Sequence, residues 1–158
     1  MKAIKLKSIK PFGLISLVIL SLVACSDKSS VNAGSATSTD IKARQNLMQD
    51  WRAANDILKG MMENPDNFDA ATFKEQAEFI NASTAQMWTY FHDANAKGNS
   101  DDAVWSDATG FQAKKDEFDA AIQNLVATAT NAQNADDVNV AFGAMAENCG
   151  RCHKVYKK

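Results

Sequence analysis

From residue 40 onward, apolar side chains recur at the three-to-four-residue spacing of a single helix face. The first run marks Ile41, Met48, Trp51, Leu58 and Met62, with Asp40 placed to cap it and Asn64-Pro65-Asp66 placed to stop it. In the second, Asp69 precedes Phe73, Ala77, Ile80, Thr84, Met87 and Phe91, and Trp88 stands beside the stripe. Polar residues and Gly98 fill the stretch from His92 to Val104, which reads as a loop and as the longest connection of the domain. Ser106 or Asp107 then opens a third helix carrying Phe111, Phe118, Ile122, Leu125 and Ala129. Asn134, with Asp137 three residues later, resembles a capping box for a fourth. That last stripe holds Val138, Phe142, Met145, Cys149, Cys152 and Tyr156. Four amphipathic helices with short connections predict an all-α fold, an antiparallel up-down-up-down four-helix bundle.

Before residue 40 the pattern changes twice. Lys2, Lys5, Lys7 and Lys10 precede an apolar run of 13 residues, Phe12 to Ala24. As a helix this run would be roughly 20 Å long, short of the roughly 30 Å of a bilayer core, so residues 1–24 read as a signal peptide and not as an anchor. The run ends in Leu22-Val23-Ala24-Cys25, which resembles the lipobox of bacterial lipoproteins. That resemblance implies cleavage before Cys25 and lipid on its thiol. Ordinary cleavage near Ala24 or Ala33, releasing a soluble periplasmic protein, is the weaker alternative, because Cys25 closes the apolar run where a lipidation site belongs. Ser26 to Thr39 is dominated by Ser, Thr, Ala, Gly and Asn without a hydrophobic period, and reads as a disordered tether of roughly 20 Å root-mean-square span. The expected division is therefore a signal peptide at 1–24, lipidated Cys25 and tether to residue 39, and a helical domain at 40–158.

Charge changes the picture of partners. The chain has 17 basic and 19 acidic residues, but four lysines and no acid lie ahead of Cys25. The remainder carries 13 basic against 19 acidic residues, a formal −6, which argues against a nucleic-acid partner.

The chemistry concentrates in Cys149-Gly150-Arg151-Cys152-His153. This C-x-x-C-H is the pattern for covalent attachment of a c-type haem. Positions i, i+3 and i+4 share one helix face, so two thiols can reach neighbouring haem vinyl groups while His153 turns a ring nitrogen to the iron. C-x-x-C also occurs in thiol–disulfide enzymes and in half of a zinc site. The first would need a βαβ pattern, which is missing. The second would need two more ligands, and only His92 and Cys25 remain. With Cys149 and Cys152 on haem and Cys25 on lipid, no cysteine is left for a structural disulfide. Because the two haem cysteines continue the apolar stripe, the single haem c is expected inside the bundle.

The arrangement resembles the cytochrome c′ family over residues 40–158. It rests on Arg44-Gln45 early in the first helix, Trp88-Thr89-Tyr90-Phe91 closing the second, Trp105-Ser106-Asp107 with Phe111 opening the third, and the attachment motif followed by a basic tail. The resemblance implies a distal residue four after Arg44, which here is Met48; by periodicity alone Met48 would be a core residue. Six-coordinate members carry Met at that place, which makes Met48 the sixth ligand of a low-spin iron and the protein a one-electron carrier serving redox partner proteins, not an enzyme. Five-coordinate members carry an apolar residue there and bind NO or CO, which is the alternative function. The resemblance further implies that Arg44 and Gln45 contact a haem propionate. It admits a homodimer through the first two helices. Location follows from the leader: the periplasmic side of the cell envelope, held to the membrane by the lipid on Cys25. Ser26 after that cysteine resembles the outer-membrane sorting signal of enterobacterial lipoproteins.

Overall fold

The computed structural model describes residues 33–158. The signal peptide, Cys25 and the tether as far as residue 32 lie outside the described residues. Five helices follow in order: α1 (Ala33–Glu63), α2 (Ala70–Thr89), α3 (Ala103–Ser106), α4 (Ala108–Ala129) and α5 (Ala135–Tyr156). A short 3-10 turn at Pro65–Asn67 joins α1 to α2. Among the described residues the extended pairing is confined to one antiparallel bridge, Ser100 to Lys157. The four long helices form the expected bundle, and no described helix is long and apolar enough to cross a membrane.

Two boundaries differ from expectation. α1 begins at Ala33, so Asp40 lies inside a helix instead of capping one, and residues 33–39 of the expected tether are helical. This segment has no apolar stripe to betray it, but Ala and Ser carry no strong penalty in a helix. It is also held from outside, where Thr37 Oγ1 donates to the Asp93 carboxylate at 2.8 Å. The second difference lies in the connection. α2 ends at Thr89, leaving Phe91 beyond it, and the one-turn α3 interrupts the expected loop.

The remaining boundaries follow from side-chain caps. Asp69 accepts from the Thr72 N–H at 2.7 Å, and Asp107 accepts from the Gly110 N–H at 3.1 Å. Asn134 and Asp137 form the reciprocal capping box. Each such cap contributes about 1 kcal/mol.

Leu58, Phe73, Ile80, Met87, Ile122, Leu125, Val138 and Met145 fill the interior and are almost wholly buried. Trp51 stacks on Phe118 at 5.3 Å between ring centres and meets Trp88 edge-on at 5.9 Å. Both indoles satisfy their N–H groups inside the fold: Trp51 on Ser83 Oγ at 2.8 Å, and Trp88 on Asp119 at 3.0 Å. Around the bundle α1 packs on α2, α2 on α4 and α4 on α5, whereas α5 meets α1 at only a few points. That thin contact leaves a seam between the first helix and the last.

Candidate haem site

The two helices that border the seam carry the residues singled out above. On α5, Cys149 and Cys152 are both half-buried, and neither is in a disulfide. Cys149 packs on the main core, its Sγ 4.0 Å from Met145 Sδ. Cys152 packs on a second, smaller cluster built from Val104, Phe111 and Tyr156. The helical stripe thus divides its thiols between two apolar beds, one on each side of the α5 face.

Electrostatics favours neutral groups here. Burial pushes the Cys149 thiol up, and the neighbouring Cys152 adds to it; burial likewise raises Cys152. A nucleophilic redox cysteine needs the opposite shift, toward thiolate. The thiol–disulfide reading of C-x-x-C therefore finds no support in the environment of these thiols. His153 is exposed at the end of α5, and its imidazolium is disfavoured first by desolvation and then by Lys157 one turn on. A neutral imidazole is the form that offers a lone pair to a metal.

Across the seam, Met48 is half-buried and packs against the same core cluster as Cys149. On the helix face, positions 50, 53 and 57 turn toward α2, where they line a groove with Glu75, Gln76 and Phe79. Positions 51, 54 and 58 point to the centre. Position 48 lies on the side of α1 away from that groove.

Arg44, one turn before Met48, is buried with 5% of its surface exposed. Its guanidinium donates to the carbonyls of Tyr90 (2.8 Å), Lys97 (3.2 Å) and Ala96, and lies over the Phe91 ring at 4.6 Å. Gln45 is exposed beside it, and His92 is exposed in the connection.

Two thiols one turn apart, a neutral imidazole next to the second and a thioether on the facing helix make a donor set that fits haem c. Cys149 and Cys152 would hold it and His153 would ligate it. Met48 would face its other side.

A family model described as Cytochrome C′ matches residues 39–157. The chain belongs to the cytochrome c′ family. Proteins of this family bind one covalent haem c. A curated cytochrome c′ from Alcaligenes xylosoxydans xylosoxydans is 33% identical over 91 residues, which cover 58% of this chain and 71% of the relative. The crystal structure of cytochrome c′ from Rubrivivax gelatinosus superposes with a TM-score of 0.69 at 27% identity, covering 75% of this chain and 94% of that one. A ferrous variant of the Alcaligenes xylosoxidans protein with bound NO superposes with a TM-score of 0.71 at 28% identity, covering 77% of this chain and 95% of that one.

Reading the sequence alone missed the partners of this site. Phe91, Trp105, Asp107 and Tyr156 were legible as apolar or capping positions. Their convergence around Cys152 was not, because it joins the connection after α2 to α3, the start of α4 and α5 over long sequence separations. Arg44 on an apolar stripe was the one local sign that a charge was meant to be buried.

Proposed function

We propose that the protein is a haem c protein of the bacterial cell envelope that binds a diatomic gas, NO or CO. The observation that carries this reading is the match along the whole helical domain to relatives of which one holds NO in its structure. Packing agrees with it: the Met48 side chain rests against the apolar core, as a space-filling residue does. When bound, the haem supplies an iron that takes up a gas molecule or an electron. The chain's own residues fix it by two thioether links from Cys149 and Cys152, present the neutral His153 from one side, and exclude water with apolar side chains from the other. We include in this proposal, from the family resemblance, a contact of Arg44 and Gln45 with a haem propionate.

A second reading is favoured by Met48 itself. A thioether one turn after Arg44 is suited to the sixth position, and His/Met ligation raises the reduction potential of a haem. The protein would then be a one-electron carrier between redox partner proteins.

Absorption spectra of the purified, reduced protein with and without CO separate the two readings, taken together with Met48→Leu. Gas binding predicts a high-spin spectrum that CO shifts at once, little altered by the substitution. Electron transfer predicts low-spin bands indifferent to CO in the parent and a CO-sensitive spectrum in Met48→Leu.

For location we propose export and lipid attachment at Cys25, with the outer membrane as the favoured site. Cys25→Ser should move the protein from the membrane fraction to the soluble periplasmic fraction. We also propose a homodimer through α1 and α2, whose shared outer groove exposes 43% of Ile57 and 42% of Phe79.

A further inference from the structure

The connection between α2 and α4 is fastened to both walls of the seam. On the α1 side, Arg44 binds the carbonyls of Tyr90, Ala96 and Lys97 and covers the Phe91 ring, and Thr37 donates to Asp93. Gly98 adopts a left-handed backbone with φ of 52°, and its α-carbon lies so close to α1 that a β-carbon would meet Ile41 Cγ2 at 2.9 Å.

On the α5 side, the same connection pairs as a strand. The Asp101 N–H donates to the Tyr156 carbonyl at 2.9 Å, and the Lys158 N–H donates to the Asn99 carbonyl at 2.9 Å. The Asp102 carboxylate joins Lys97 at 3.0 Å and Lys158 at 3.5 Å. Between these anchorages, Trp105 Nε1 donates to the Phe91 carbonyl at 2.7 Å, closing the connection on itself.

We propose that residues 90–102 form a strap that sets the separation of α1 and α5, with Arg44 as the positioning residue that fastens it. Helix-to-helix contact across the seam is sparse. The strap therefore supplies what direct packing does not. One anchorage lies one turn before Met48 and the other three to five residues after His153, so slack in the strap is felt on both faces of the haem site at once. A buried guanidinium with several carbonyl acceptors is well suited to this task, because its rigid fork fixes direction as well as distance. The effect on the haem rests on the site reading given above, whereas the mechanical linkage does not.

The test uses the full-length, haem-loaded protein with Gly98→Ala, which disturbs the α1 anchorage beside Ile41 and Arg44, and Asp102→Asn, which loosens the α5 anchorage; both leave Cys149, Cys152, His153 and Met48 unaltered. Hydrogen exchange read by mass spectrometry should rise in residues 41–48 and in residues 153–158 together, in both variants. Covalent haem content should stay at the parental level. CO association should quicken about fivefold in Gly98→Ala, the factor that corresponds to roughly one residue's worth of left-handed strain imposed on the strap by the added β-carbon. Faster exchange confined to residues 95–102, or to the wall nearest each substitution, overturns the strap, and so does an unchanged CO rate beside a loosened seam. A parent protein that takes up no CO sinks the gas-binding reading, and exchange at the two walls alone then decides the strap.

Discussion

The two sides of this bundle are built to different standards. Where α2 meets α4, Ile80, Met87, Phe118, Ile122 and Leu125 interlock with no more than 6% of any of them exposed, and Trp51 and Trp88 seal the layer with satisfied indoles. On α1 and α5, whose mutual contact is sparse, Met48 and Cys149 are only half-buried, and a connection fastens the two helices where packing is thin. The first side supplies stability and leaves no room for chemistry. The second leaves its apolar side chains unfinished, as a pair of walls does when a flat apolar group is meant to complete them.

The largest effect should come from the unfinished side. Replacing both Cys149 and Cys152 by Ser should abolish covalent haem, read as loss of the haem mass from the denatured chain, while the far-UV helical signal survives. On the finished side, Leu125→Ala should cost about 2–5 kcal/mol in chemical denaturation and leave haem stoichiometry intact. A Leu125 variant that loses haem at parental stability would erase the distinction between the sides. Next in size, Asn134→Ala removes the capping box of α5 and should cost about 1 kcal/mol. Because that end of α5 is far from the motif, the spectrum should not move.

The smallest effect is a pH dependence. Tyr156 donates to Asp107 at 3.0 Å, and burial together with that carboxylate pushes its phenol up to about 12. A phenol raised in the folded state stabilises the fold below its unfolded pKa near 10, and that contribution fades as pH climbs from about 10 through about 12. The slope of stability across that window should flatten in Tyr156→Phe. An unchanged slope would remove this bond from the account of how α5 is tied to the start of α4.

Most of the architecture was legible because burial is periodic. Phe73, Ala77, Ile80, Thr84 and Met87 announce α2, and all of them are buried. Asp69, Asp107 and Asn134 announce their helix starts, and all of them cap. The site was legible in its covalent part for a different reason: the thiols and imidazole sit within five consecutive residues, so one motif contains them. The start of α1 was not, since a run of small residues has no stripe and draws on Asp93 for support. The true surroundings of Arg44 were hidden too. Its acceptors are backbone carbonyls, and carbonyls leave no mark in a sequence.

The span of those Arg44 bonds has a kinetic consequence. They join residues 46 to 53 positions apart, whereas α4 and α5 are antiparallel neighbours separated by the five residues 130–134. Short loops close at less entropic cost than long ones, and contacts near in sequence form first. The C-terminal hairpin should therefore assemble before α1 is fastened across from it. The C-x-x-C-H motif lies on that early hairpin, so the helix that carries it should form while α1 is still unfastened.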